Sequence, residues 1–289
     1  MLSHGTGARF AGVLGWPLTH TLSPAIHNAS FAALGLDAVY LPFPVPPGDL
    51  FAAVAGLRAL GALGANITMP HKQSVAGMLD ELADEVVATG AVNTVQRVGN
   101  RLVGHNTDVR GFRDFLVLDA GVDVRGVRAL VLGAGGAARA VVAALDETGA
   151  AEIVVCARHA IPAGDVAGVA RSARASSSEW ARAAELAATA DVVVNATPIG
   201  MGERGDPLPE VTFTPSQVVV DLVSEPLETT LVRRARSGGA RAWGGLGMLV
   251  RQGAASFRIW TGLDAPLETM MAAAQGSIDA PSHRLGPRE

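Results

Sequence analysis

The chain has 289 residues, 49% hydrophobic and 17% charged, with a formal net charge of −4. That apolar content fills one large core or two smaller ones, and the scattered 34 glycines and 16 prolines exclude a disordered, collagen-like or low-complexity chain. The 23 basic residues against 27 acidic ones give no electrostatic reason for a nucleic-acid or membrane partner.

Phe10–Leu14 reads as a first strand; Arg9 ahead of it gives only a faint likeness to a signal peptide, whose apolar run is too short and ends at Gly15-Trp16-Pro17. Ser23 as cap and Pro24 in the first turn open a helix to about Leu34. Val39–Phe43 is a strand, Pro47–Leu60 a helix and Gly64–Thr68 a third strand. Gln73–Ala88 reads as one helix, Ala91–Val98 and Leu102–His105 as strands about a Gly99-Asn100 turn, and Thr107–Leu118 as an amphipathic helix. A second series follows: strand Val127–Leu132, helix Gly136–Glu147, strand Ile153–Cys156, helices near Val166–Ala173 and Ser178–Ala188, strands Val192–Asn195 and Val218–Leu222, helix Thr229–Arg236 and strand Ala240–Trp243. Short buried strands alternating with helices imply parallel sheets. The boundary between the series falls in the helix from Thr107 and the turn Gly121–Gly126. The last helices, Gly247–Trp260 and Pro266–Ala274, are placed to pack back on the first domain, and the polar tail from Gln275 reads as frayed.

No run reaches the ~18 apolar residues of a membrane span; the longest, Ala129–Leu145, is broken by Gly133, Gly135, Gly136 and Arg139. The single cysteine, Cys156, rules out an intramolecular disulfide and fits the cytoplasm, and its strand-end position suits a small buried residue. His4, His20, His27, His71, His105, His159 and His283 show no metal-ligand spacing, so no metal is expected. Among the basic residues one alone, Lys72, is lysine. Arginine keeps its proton at any usable pH, whereas a partly buried lysine can exchange one, so a chain that otherwise uses arginine throughout directs attention to Lys72.

Arg128–Leu132 leads into Gly133-Ala134-Gly135-Gly136-Ala137-Ala138-Arg139, in the strand–glycine turn–helix order of a dinucleotide site. Glycines there let the backbone approach a pyrophosphate at a helix N-terminus. The next strand ends Ala157-Arg158, without the acidic residue that holds the ribose hydroxyls of NAD; Arg158 suits the 2′-phosphate of NADP, with His159 a weaker helper. Asn195 and Thr197 close a further strand at the same edge, as cofactor contacts or as turn stabilisers. In the first series, polar residues gather at three strand–loop junctions: His20-Thr21-Leu22-Ser23-Pro24, Asn66-Ile67-Thr68-Met69-Pro70-His71-Lys72, and Asn93-Thr94 with Asn106-Thr107-Asp108. Ser23 and Thr107 also suit helix caps, and Asn93 and Asn106 turns. Together they suit a small polyhydroxylated molecule beside a nicotinamide.

These motifs, with Gly15–Pro24, His27-Asn28, Asn195-Ala196-Thr197-Pro198 and Gly245-Leu246-Gly247-Met248-Leu249-Val250-Arg251-Gln252, run over essentially the whole chain, which resembles the shikimate dehydrogenase family. The resemblance implies two α/β domains: an N-terminal substrate domain (1–108 and 248–289, the C-terminal helices returning to it) and a Rossmann-type NADP-binding domain (109–247). It implies reversible NADPH-dependent reduction of 3-dehydroshikimate to shikimate in aromatic amino acid biosynthesis, by a monomer or homodimer. Carried over by motif, Lys72 and Asp108 would form the catalytic pair. Thr21 and Ser23 would hold the substrate carboxylate, and Asn66, Thr68, Asn93 and Gln252 would share with Asp108 the ring hydroxyls and the carboxylate. Gly133, Ala134, Gly135, Gly136, Ala137, Arg139, Arg158, Asn195, Thr197, Gly245 and Met248 would line the cofactor. The chain departs from the family pattern with Thr21 for the common serine, Ser224 for a tyrosine whose hydroxyl reaches the carboxylate, and Ala157-Arg158 without flanking Asn and Thr. These departures leave open a paralogous dehydrogenase acting on quinate or aminoshikimate, with NAD as possible cofactor; a ligand-sensing homologue without turnover is a further alternative.

Overall fold

The computed structural model describes residues 9–18, 21–203 and 205–279; His4, His20, His283 and the tail from residue 280 lie outside them. The first domain runs β1 (Arg9–Gly15), α1 (Ser23–Ala33), β2 (Ala38–Pro44), α2 (Leu50–Ala59), β3 (Gly64–Ile67), β4 (Glu81–Leu82), α3 (Asp84–Thr89), β5 (Thr94–Val98) and β6 (Arg101–His105), and α4 (Thr107–Asp114) leads out of it, with Val109 and Phe112 in the core of the second. Its sheet has the order β2-β1-β3-β5-β6-β4. It is mixed rather than parallel: β1, β2 and β3 run together, but β5 is antiparallel to β3 and to β6. The tight turn at Gly99, with φ +62°, reverses the chain there and leaves no room for a crossover.

Residues 73–88 do not form one helix. A 3₁₀ turn at Ala76–Met78, the short β4 and α3 replace it. Val75 and Val86 are buried as a helical stripe requires, but Asp80 is drawn to the Leu102 amide and to Arg58, each at 2.6 Å. That anchors the segment beside β6, where β4 pairs.

The second domain runs β7 (Arg128–Leu132), α5 (Gly136–Glu147), β8 (Glu152–Ala157), α6 (Ala160–Ala167), β9 (Arg174–Glu179), α7 (Ala183–Thr189), β10 (Val192–Asn195), β11 (Val218–Asp221), α8 (Thr230–Ser237) and β12 (Arg241–Trp243). All six strands are parallel in the order β12-β11-β10-β7-β8-β9, so the strand order reverses between β7 and β10. The central β10 and β11 are buried along their whole length, which is why they read as unbroken runs of valine. The sequence reading places helices over 166–173 and 178–188. The structure moves the first to 160–167, with Pro162 in its opening turns, and inserts β9. The Arg-Ala-Ser-Ser-Ser-Glu run of β9 has almost no apolar period because it is an edge strand, paired on one side with β8.

Two helices then return. α9 (Leu246–Thr261) and α10 (Leu267–Asp279) bring Val250, Phe257, Trp260, Met270 and Ala274 against Ala11, Val13, Ile26, Phe31 and Tyr40. Trp260 Nε1 donates to the Val95 carbonyl at 3.0 Å, and Gly64 leaves the space the indole occupies. α10 continues in order to Asp279, past the expected fraying point at Gln275. No helix among the described residues is long and apolar enough to cross a membrane.

Candidate active site

The first-domain site is assembled where β1, β3 and β6 end. Ser23 begins α1, but the cap position is Leu22 and no side chain caps the helix, so the Ser23 hydroxyl is not spent as the sequence suggested. The Thr21 hydroxyl accepts from the Ser23 amide at 3.3 Å. At α4 the cap is Asn106 rather than Thr107: its Oδ1 accepts from the Asp108 amide at 3.1 Å. Asp108 thereby sits in the first turn of α4, where the exposed amides favour a negative charge.

Lys72 Nζ donates to Asp108 Oδ2 at 2.6 Å, with side-chain exposures of 18% and 8%. A pair this sheltered is held by its other partners, since neither charge is fully hydrated. Asp108 Oδ1 accepts from Asn93 Nδ2 at 2.8 Å. The Asn93 amide is oriented in turn, because its Oδ1 accepts the Thr107 amide at 2.7 Å and so its nitrogen must face the carboxylate. Asn93 Nδ2 also lies 3.3 Å from Gln252 Oε1, on the returning helix.

Behind this front lies a buried polar hub. The Ser256 hydroxyl is within 3.0 Å of Asn66 Nδ2, Thr94 Oγ1 and Thr107 Oγ1. Tyr40 donates its hydroxyl to Asn66 Oδ1 at 2.7 Å, and His27 stacks on the Tyr40 ring at 4.4 Å. Burial pushes the His27 imidazole down to about 3 and the Tyr40 phenol up, so both rings stay neutral near pH 7. The Asn66 amide nitrogen also reaches Asn93 O and Thr94 Oγ1, which commits its hydrogens inside the protein. Thr68, by contrast, has no side-chain hydrogen bond among those described and stands at the end of β3.

The second domain meets this front with backbone. Gly133 follows β7 at φ +111°, and a Cβ there would press on Ala196 O at 2.9 Å. Gly135 is the cap of α5 and has open space where a Cβ would point; no side chain caps the helix. Gly136 lies against the Lys72 stem: a Cβ would meet Lys72 Cδ at 3.0 Å. The glycine turn and the Lys72–Asp108 pair therefore face one cleft. Arg158 is exposed just past β8, and no carboxylate pairs with it among the described residues. An uncapped helix N-terminus, open space over Gly135 and a free guanidinium at the next strand end fit a phosphorylated dinucleotide.

The remaining sequence candidates divide. Ala134 and Ala137 flank the turn. Asn195 is fully buried and pins the following loop, its Nδ2 donating to Ile199 O and to Asp221 Oδ1 while its Oδ1 accepts from the Thr197 hydroxyl at 2.7 Å. Asp221 also takes the Thr229 hydroxyl at 2.6 Å, and burial raises its pKa. Gly245 lies on the backbone of Leu222 and Val223, and Met248 is buried in the second-domain core. Arg139 points away from the turn: its Nη1 donates to Thr89 O in the first domain at 3.2 Å. Ser224 makes no hydrogen bond among those described. Burial pushes the Cys156 thiol up to about 11, consistent with an unreactive packed side chain. Sequence reading missed Ser256, Tyr40 and Gly111. A Cβ on Gly111 would lie 2.6 Å from Gln252 Cβ, so this glycine lets α4 and α9 touch.

Two α/β domains, a parallel sheet reversing at its glycine turn, and an ammonium–carboxylate pair across the cleft define a nicotinamide-dependent dehydrogenase of two-domain type. Family models described as the shikimate dehydrogenase substrate binding domain, shikimate/quinate 5-dehydrogenase and the shikimate 5′-dehydrogenase C-terminal domain match residues 13–95, 116–200 and 245–275. A shikimate dehydrogenase (NADP+) of Symbiobacterium thermophilum is 45% identical over 96% of this chain and 97% of its own. A crystal structure of a shikimate dehydrogenase in complex with NADP+ superposes with a TM-score of 0.88 at 34% identity, covering 96% of this chain and 98% of that one. A quinate dehydrogenase from Corynebacterium glutamicum in complex with NAD superposes with a TM-score of 0.85 at 30% identity, covering 93% and 99%. The chain belongs to the shikimate dehydrogenase family.

Proposed function

We propose that the chain is an NADP-dependent shikimate dehydrogenase catalysing the reversible reduction of 3-dehydroshikimate to shikimate. The observation that carries this reading is the 2.6 Å Lys72–Asp108 pair standing against Gly136 at the glycine turn. NADPH, when bound, supplies the hydride that reaches the ketone carbon. Lys72 Nζ then faces the oxygen on which negative charge develops, stabilises it through a hydrogen bond and donates the proton that makes it a hydroxyl. In the reverse direction the same amine takes that proton. Asp108 holds the ammonium in place through Oδ2 and accepts from a neighbouring ring hydroxyl, while Asn93 keeps the carboxylate facing the cleft. Thr21 and Ser23 bind the substrate carboxylate through hydroxyls that no helix cap consumes, and Thr68 and Gln252 bind ring groups. Asn66 acts from behind, through its amide contacts. Gly133, Gly135 and Gly136 would receive the pyrophosphate, with Ala134, Ala137 and Met248 also lining the cofactor, and Arg158 would hold the 2′-phosphate. Asn195, Thr197 and Gly245 shape loops that would line the cofactor.

The substrate domain comprises 1–108 with 248–289, and the NADP domain 109–247. Both junctions fall within or beside helices, α4 and α9, so closure over the ligands bends two helical connections. The lone cysteine supports a cytoplasmic setting. A second reading, a quinate-directed relative using NAD, is favoured by Ser224, too short to reach a carboxylate directly. Initial rates of the purified chain with shikimate and with quinate, each with NADP+ and NAD+, decide between them. Shikimate with NADP+ is expected to give the highest kcat/KM. A preference for quinate with NAD+ overturns the first reading, and no turnover in any combination overturns both.

A further inference from the structure

Arg139 was expected on the cofactor, yet its guanidinium crosses the cleft to Thr89 O. No carboxylate pairs with it among the described residues, and its Nε is buried without a partner. Thr89 is the last residue of α3, and Gly90 follows in a left-handed conformation with φ +65°. A Cβ on Gly90 would stand 3.7 Å from Arg139 Nη1, ordinary contact distance, so the guanidinium packs beside the end of α3.

Beyond Thr89 the contacts reach both members of the acid–base pair. The Thr89 hydroxyl accepts from Asn106 Nδ2 at 3.0 Å, and Asn106 Oδ1 accepts from the Asp108 amide at 3.1 Å. Three residues along, the Val92 amide donates to Lys72 O at 2.7 Å. Segment 89–92 thus grips the backbone of Lys72 and, through Asn106, that of Asp108. Arg139 grips the same segment from the other domain, on the helix whose first residue, Gly136, touches the Lys72 stem.

We propose that Arg139 is a positioning residue: a strut from α5 to segment 89–92 that sets where the Lys72–Asp108 pair stands relative to the cofactor side of the cleft. The proposal rests on the reading of that pair given above. A guanidinium suits the task because its planar fork donates in fixed directions and cannot lose its charge. The strut acts on rate rather than on cofactor affinity, since a misplacement of about 1 Å at reacting groups can cost about 10²-fold.

The test uses the full chain. Arg139→Met keeps the aliphatic stem and removes the donors. At saturating NADPH, kcat for 3-dehydroshikimate reduction is expected to fall about tenfold or more, while the NADPH Kd from fluorescence titration stays within about twofold and Arg139→Lys recovers part of the rate. Thr89→Val breaks the next link, and its loss combined with Arg139→Met is expected to be smaller than the product of the two. A rise in NADPH Kd with kcat unchanged makes Arg139 a phosphate ligand and overturns the proposal, as does an unchanged kcat or a multiplicative double variant. Should Arg139→Met not fold, Arg139→Gln carries the same measurements. An unsubstituted chain without turnover fails the proposed function instead, before any variant is read.

Discussion

The two walls of the cleft are built differently. On the first domain the wall is side chain: Asn66, Asn93, Thr94, Thr107 and Ser256 hold one another by hydrogen bonds, and Lys72 and Asp108 emerge from that mesh. On the second it is backbone: glycines with no side chain to offer, and helix amides left uncapped. A polyhydroxylated substrate must be read group by group, so its wall needs oriented polar side chains. A pyrophosphate presents charge and a repeating shape, for which backbone amides suffice. The substrate wall should therefore be sensitive to single side chains in rate, and the cofactor wall in affinity.

The sharpest way to break that contrast is Lys72→Ala. Loss of the proton donor is expected to lower kcat by about 10²–10⁴-fold, with NADPH Kd nearly unchanged; retained turnover ends the mechanism. Arg158→Ala probes the opposite wall. It should lower kcat/KM for NADP+ by about tenfold, the value of one charge-assisted contact, and spare NAD+. An equal loss with both cofactors would show that Arg158 does not read the 2′-phosphate.

Gly111→Ala tests whether the substrate wall depends on α4 touching α9. The new methyl would meet Gln252 backbone N at 2.7 Å, a contact neither helix relieves without moving. Destabilisation of about 1–3 kcal/mol is expected, read as a lower Tm, together with a higher KM for shikimate. The smallest effect concerns His27. Its folded-state pKa is about 3 against 6.5 for the free group, so between those values the unfolded chain binds a proton that the native chain does not. Stability is then full above pH 6.5 and falls on acidification through it, by at most about 1.4 kcal/mol per pH unit. His27→Phe should flatten the Tm profile between pH 6.5 and 5, and an unaltered slope would count against a neutral buried imidazole.

How much of this was legible in the chain follows from the range over which each feature is encoded. The glycine turn is a local signal: a valine-rich strand, three glycines and a helix lie within about a dozen residues, and the structure places them as read. Lys72 stood out by being alone of its kind. Ser256 could not be found that way, because its partners Asn66 and Thr107 are 190 and 149 residues distant and only the return of α9 joins them. Residues 73–88 misled for a related reason: their helical spacing was genuine, but Asp80 answers to the distant Leu102 amide. β9 was missed because an edge strand of serines carries no apolar alternation. Arg139 shows what a local motif leaves out, since its place in the glycine motif suggests a cofactor contact while its hydrogen bond to Thr89 O depends on a segment 50 residues away.

The return of α9 and α10 also sets an order of events during synthesis. Chains emerge from the ribosome N-terminus first, and domains tend to fold as they appear. Here the nascent first domain lacks Phe257, Trp260 and Met270, so Phe31 and Tyr40 have no lid until the intervening domain has been translated. The later-made unit, whose parallel sheet is contiguous from β7 to β12, can close before the earlier one is finished. Truncation before residue 246 would leave the N-terminal half an unsealed apolar surface, a target for chaperones and proteases.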